Sequence, residues 1–112
     1  MSGAKLPTVV YTLTVFEILK TDAFDRGLRS LRDRRAVARI NARLRQVSVG
    51  ALGDAKPVCD GVSELRVSNG PGYRPYFIRQ GAAIIVLLCG GDKSTQAPDI
   101  ARAKAMAGNL TE

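Results

Sequence analysis

Helical spacing, strand alternation and one unbroken apolar run divide this chain into elements. Residues 9–15 (VVYTLTV) are β-branched and aromatic and predict a strand. Thr21 or Asp22 can cap a first helix. In it Phe24, Leu28 and Leu31 fall on one face at i, i+4 and i+7, and Gly27 weakens the middle. Asp33 can cap a second helix, where Val37, Ile40, Leu44 and Val47 recur at helical intervals until Gly50 ends it. A loop with Gly53 and Pro57 leads to a strand broken at Asp60 and Gly61. Residues 62–68 continue it, with Leu65 and Val67 on one face and Glu64 and Arg66 on the other. Asn69, Gly70, Pro71 and Gly72 predict a turn, residues 73–79 the next strand, and Gln80 and Gly81 another turn. Residues 82–89 are eight consecutive apolar positions, as a central strand requires. Ser94 or Thr95 opens a last helix with Ile100, Ala103 and Ala107 on its apolar face.

The resulting order is β-α-α-β-β-β-α. Short turns between the last three strands make them antiparallel, and the helices are expected on one face of the sheet, an α+β domain. Pro75 lacks a backbone donor, so its strand should be locally an edge or bulged. The chain of 112 residues is the size of one domain. Residues 8–108 are expected to form it, between a short flexible N-terminal tail, 1–7, and a C-terminal tail, 109–112. No apolar run reaches the ~18 residues of a membrane helix, and the start, MSGAKLP, lacks the apolar core of a signal peptide. A cytoplasmic protein is the expectation. Cys59 and Cys89 stand 30 positions apart, with no histidine in the chain, so no metal site is expected and both thiols should be reduced.

Charge changes the picture more than composition does. The net +7 is confined to residues 26–45, which hold eight arginines and one acid, Asp33. Arg32, Arg35, Arg39 and Arg43 form a ridge beside the apolar face of the second helix. A polyanion or an acidic partner suits such a patch. Three more cations fall where a fold alone has little use for them. Arg66 and Arg74 lie within strands, and Lys93 follows the end of the buried one.

Several segments in order carry a resemblance. They are Asp33, Arg34 and Arg35; GDAKPV at 53–58; GVSELR at 61–66; GPGYR at 70–74 with Tyr76 and Phe77; LCGGDKSTQ at 88–96; and DIARA at 99–103. Over roughly residues 8–108 the chain resembles the RelE/ParE superfamily of bacterial toxins, within it the HigB-like addiction module killer branch. The resemblance implies a RelE-like fold, an antiparallel sheet with a helical hairpin and a C-terminal helix. It implies the toxin of a type II toxin–antitoxin pair, a metal-independent endoribonuclease that cleaves mRNA, on the ribosome or free of it, without a cofactor. The implied partners are a cognate helix-turn-helix antitoxin, mRNA and the ribosome, with operator DNA reached only through the antitoxin. Relatives of the ParE kind instead poison DNA gyrase without nuclease activity, and that alternative stands, as does a non-catalytic module that binds nucleic acid or a partner.

Cutting RNA without metal needs a proton acceptor for the 2′-OH, a donor for the leaving 5′-oxygen and cations for the charge on phosphorus. Relatives manage this with Lys, Arg and Tyr, and such residues are present. Arg66 and Arg74 can clamp a phosphate bidentately. Lys56 or Lys93 can act as base, and Tyr73 or Tyr76 can stack a base or donate a proton. Alternation sets Tyr76 on the face of Arg74 and Tyr73 on the other. Asp92 and Gln96 can read a base edge or orient Lys93, with helix capping as their other use. The catalytic candidates are Arg66, Arg74, Lys93, Lys56 and Tyr76. The RNA- or ribosome-binding candidates are Arg32, Arg35, Arg39, Arg43, Tyr73, Asp92 and Gln96.

Overall fold

A computed structural model describes residues 15–67 and 72–110. Its strands are β1 (Glu17–Lys20), β2 (Ala55–Cys59), β3 (Val62–Leu65), β4 (Arg74–Gln80) and β5 (Ile84–Gly91). Its helices are α1 (Asp22–Ser30), α2 (Arg34–Ser48) and α3 (Gln96–Leu110). The strands form one sheet in the order β1-β5-β4-β3-β2. Successive pairs from β2 to β5 are antiparallel, while β1 runs parallel to β5. The α+β class is as expected.

Four details of the expected fold need correction or bounding. The strand expected at 9–15 lies outside the described residues except for Val15, as does most of the 69–72 turn. Asp60 and Gly61 do not interrupt one strand. Both have positive φ, 44° and 82°, and they turn β2 back on β3 as a two-residue hairpin. The helices cover both faces of the sheet rather than one. Phe24 and Leu28 of α1 and Ile40, Leu44 and Val47 of α2 pack with Leu65, Phe77, Ile85 and Leu87. Ala103 and Ala107 of α3 pack with Val62, Tyr76, Ile78, Val86, Leu88 and Cys89 on the opposite face. This two-sided burial is why the β5 run is apolar at every position. Finally, Thr95 directly precedes α3, as expected, but it ends a 3-10 turn whose N-cap is Asp92. The Asp92 carboxylate accepts from Ser94 N at 2.9 Å, and the turn, Lys93–Thr95, leads into α3. That helix runs through Asn109 to Leu110.

Pro75 sits in an inner strand, not at an edge. The last β3–β4 pair is Glu64 with Tyr76, so the ladder stops one residue short of the proline. On its other side the β4–β5 register shifts between Tyr76 and Phe77, leaving Leu88 as the extra residue of a bulge. Leu88 and Cys89 consequently face the same core. Pro57, by contrast, lies in β2 at the edge of the sheet, where a missing donor does no harm.

Thr21 ties the first helix to that bulge. Its hydroxyl oxygen accepts from Phe24 N at 3.1 Å as the N-cap of α1, and the hydroxyl donates to Leu88 O at 2.7 Å. Thr21→Ala removes both bonds and should lower stability by about 1–2 kcal/mol in urea denaturation. A loss below ~0.5 kcal/mol would mean that the Leu88 carbonyl gains water at no cost.

Candidate functional site

Backbone register brings the strand cations together. Lys56 pairs with Glu64, Glu64 with Tyr76, and Tyr76 with Cys89, one row across four strands. Directly opposed residues share a face, so this row looks toward α3. At its centre Glu64 is only 3% exposed. Its carboxylate accepts from Arg74 Nη1 at 3.1 Å and from Gln96 Nε2 at 3.3 Å. Arg66 Nη2 lies 3.8 Å from its other oxygen, and Arg66 Nη1 lies 3.9 Å from Asp54. One buried carboxylate thus holds the outer nitrogens of two guanidinium groups.

The inner nitrogens are left over. Arg66 Nε and Arg74 Nε are buried and have no hydrogen-bond partner among the described residues, although Arg66 as a whole is half-exposed. Buried donors without acceptors are rare in proteins. Both arginines line a cavity of about 190 Å³, together with Asp54, Val67, Gly72 and Tyr73. Lys93 stands beside it. Its Cβ is 3.5 Å from where a side chain on Gly72 would begin, an ordinary contact, and it is the φ of 82° at Gly72 that favours glycine there. Lys93 and Lys56 are exposed, and neither forms an ion pair with a described residue.

Tyr76 is fully buried beside Glu64. Burial, and then the charges of Glu64 and Asp99, push its phenol up, while Gln96 and Arg74 offset part of this. Tyr73 is also buried, with its ring in the core facing α1 and α2. Neither ring is open for base stacking in this conformation. Asp92 is drawn down by the Ser94 hydroxyl and amide, which fits its capping role, whereas Gln96 reaches into the cluster.

The ridge expected along α2 divides. Arg32 and Arg35 are exposed and Arg39 is half-buried, and none forms an ion pair with a described residue. Arg43 turns inward instead. It donates to the carbonyls of Arg66 at 3.0 Å, Ala51 at 3.2 Å, Asp54 at 3.5 Å and, most closely, Leu52. Burial pulls its guanidinium down, against the charge of Asp54. It therefore pins the Asp54 loop and the end of β3, which are two walls of the cavity. By its spacing Arg43 belonged to the ridge, and the strand alternation placed Glu64 only on the face of Arg66. An acid on the α3 face of an inner strand was the available signal for Glu64. Nothing local marked Arg43.

Tyr73 supports a pH prediction. Burial pushes its phenol up to about 12, with smaller upward contributions from Cys89 and Asp99 against Arg102. An unfolded tyrosine ionises near ~10. The stability from keeping the phenol neutral is therefore complete below about pH 10 and is lost as pH rises toward 12. The urea midpoint should fall over that window, and Tyr73→Phe should flatten the fall. An unchanged slope in the variant would remove Tyr73 as its cause.

No family model matches the chain. An uncharacterized protein of Haemophilus influenzae is 48% identical over 94 residues, covering 84% of this chain and 95% of that one. The chain belongs to that protein's family. Among solved structures, the crystal structure of the toxin–antitoxin complex RelBE2 from Mycobacterium tuberculosis matches with a TM-score of 0.53 at 17% identity, over 72% of this chain and 94% of that chain. The chain therefore has a RelE-like fold. No described helix is long and apolar enough to cross a membrane.

Proposed function

We propose that the protein is the toxin of a toxin–antitoxin pair and acts as a metal-independent endoribonuclease on mRNA. The observation that carries this is that Arg66 and Arg74 line one small cavity and that the Nε donor of each is buried with no partner among the described residues. A phosphodiester supplies the acceptors they lack. The 2′-oxygen attacks phosphorus as its proton passes to Lys56 or Lys93, the bond to the 5′-oxygen breaks, and that oxygen takes up a proton. The arginines hold the negative charge that builds on phosphorus, and preorganised donors of this kind are worth roughly 10²–10³ in rate each. Arg32, Arg35 and Arg39 would meet RNA phosphates of the message or the ribosome, with a steep dependence on salt. The fold shared with the RelBE2 complex supports a protein antitoxin as partner, of helix-turn-helix type in the branch this chain resembles, and a cytoplasmic site of action.

The experiment is induced expression in bacteria of the wild type and Arg66→Ala, with growth followed and mRNA 5′ ends mapped. Arg66 is 42% exposed, so its removal leaves the fold largely intact. Growth arrest with new 5′ ends, both lost in the variant, is expected. Arrest with intact mRNA would point to the gyrase reading, and no arrest from soluble protein to a binding module.

A further inference from the structure

We infer that Glu64 is a positioning residue, a carboxylate clasp that aims Arg66 and Arg74 at the phosphate. This rests on the nuclease reading above and goes beyond it by assigning a role to a residue outside the cation set.

The argument begins with cost. A carboxylate that is 4% exposed has lost its water, and replacing a buried ion pair by apolar residues is often neutral or stabilising. The fold itself does not call for the charge, because position 64 faces the core that Val62, Tyr76 and Leu88 fill with apolar surface and ring. What the carboxylate does achieve is geometric. Two guanidinium groups in one small site repel each other and have many rotamers. Glu64 takes Arg74 Nη1 on one oxygen and faces Arg66 Nη2 with the other, at 3.1 and 3.8 Å. With those nitrogens engaged, both Nε atoms remain buried with no partner among the described residues. Gln96 donates to the oxygen that Arg74 uses, which fixes the carboxylate from the α3 side. The clasp is therefore anchored on two elements that come together only in the folded chain, β3 and the first turn of α3. Preorganisation of this kind, held by groups behind the contacting residues, is what keeps a site within productive geometry.

A clasp has a signature that a stabilising ion pair lacks. Glu64 contributes negative charge beside an anion site, so Glu64→Gln should leave binding of a non-cleavable phosphodiester unchanged or make it several-fold tighter. The guanidinium groups lose their common anchor, so cleavage should fall about 10²-fold. Because Glu64 acts through the arginines, Glu64→Gln and Arg66→Ala together should cost clearly less than the product of their separate losses, the remainder coming through Arg74.

The test uses the full chain as wild type, Glu64→Gln and Glu64→Asp. Each is checked for folding by circular dichroism, for affinity toward an RNA dinucleotide carrying a 2′-deoxy block, and for cleavage of the unblocked RNA on translating ribosomes. The ¹⁵Nε–¹H signals of Arg66 and Arg74 are recorded alongside. Cleavage lost while the blocked dinucleotide still binds, with the two Nε signals broadened or shifted, is the expected result. Should Glu64→Gln fail to fold, Glu64→Asp retains the charge, one methylene short of its partners, and should reproduce the cleavage loss in a folded protein. Cleavage within threefold of wild type in a folded variant, or losses that multiply with Arg66→Ala, would overturn the clasp. If the wild type itself cuts no RNA, the nuclease reading fails. The clasp as a geometric device is then judged by the Nε signals alone, and unchanged signals in Glu64→Gln would overturn it too.

Discussion

Arg74→Ala should destabilise the protein by roughly 3–5 kcal/mol and, under the proposed nuclease function, abolish toxicity together with cleavage. Arg74 is 14% exposed and is the nearest cation to Glu64, which is 4% exposed. Truncating it leaves a desolvated carboxylate with a neutral amide from Gln96 and a guanidinium 3.8 Å away that is itself half in water. The penalty comes from the stranded charge more than from the lost bond. That distinction is measurable. Adding Glu64→Leu to Arg74→Ala removes the stranded charge and should restore about half or more of the loss in urea denaturation, a positive coupling of over 1 kcal/mol. It should not restore activity. A single variant within 1 kcal/mol of wild type, or a double variant no more stable than the single, would show that water reaches Glu64 and that the pair is a surface interaction.

Gly90→Ala is the second large effect, at about 3 kcal/mol. A methyl group there would run into the Tyr73 hydroxyl and lie 2.7 Å from Tyr73 Cζ. Tyr73 is 6% exposed and its ring belongs to the core of Phe24, Leu28 and Ile85, so it cannot swing aside. A side chain on Gly91, the next residue, would meet Asp99 of α3, 2.8 Å from its Cγ, on the opposite side of the strand. The two glycines thus admit one side chain on each face of β5 as it leaves the sheet. The clash is tested by thermal unfolding of Gly90→Ala alone and with Tyr73→Leu, a shorter side chain that makes room for the methyl. Partial recovery in the double variant is expected. Equal destabilisation with and without Tyr73→Leu would place the problem in the backbone, not the ring.

Both effects bear on function through the same strand ends. The Gly90–Gly91 corner passes into Asp92 and Lys93, and Lys93 packs over Gly72 beside the arginine cavity. A shift of Tyr73 would be felt by its neighbours Gly72 and Arg74, which line that cavity with it.

Where sequence reading succeeded, the signal was local. Phe24 and Leu28, then Ile40, Leu44 and Val47, are buried where a 3.6-residue period places them. Thr21 and Asp33 cap helices because a short oxygen-bearing side chain there meets the free amides of the first turn. Pro75, expected at an edge or in a bulged strand, sits in an inner strand beside a bulge whose extra residue, Leu88, belongs to β5. The Asp60–Gly61 step was misread because two residues of turn type inside a β-patterned stretch fit either a kink or a hairpin. Only the pairing of Lys56 with Glu64 decides which.

Local sequence was enough to set the helices, the caps, the inner β5 strand and the positions of Arg66, Arg74 and Lys93 in or beside strands. Each of these follows from a residue and its near neighbours, over which backbone conformation is set. The tertiary structure alone decided that helices cover both faces of the sheet, that Tyr76 is sealed beneath the site and that Arg43 turns from the ridge to hold the Asp54 loop. It alone decided, too, that Glu64 stands between Arg66, Arg74 and Gln96. Those facts depend on strand register and on contacts between residues far apart in the chain, 32 positions for Gln96 and Glu64 and 67 for Thr21 and Leu88. Which charge meets which is fixed only when those distant segments are brought into one core.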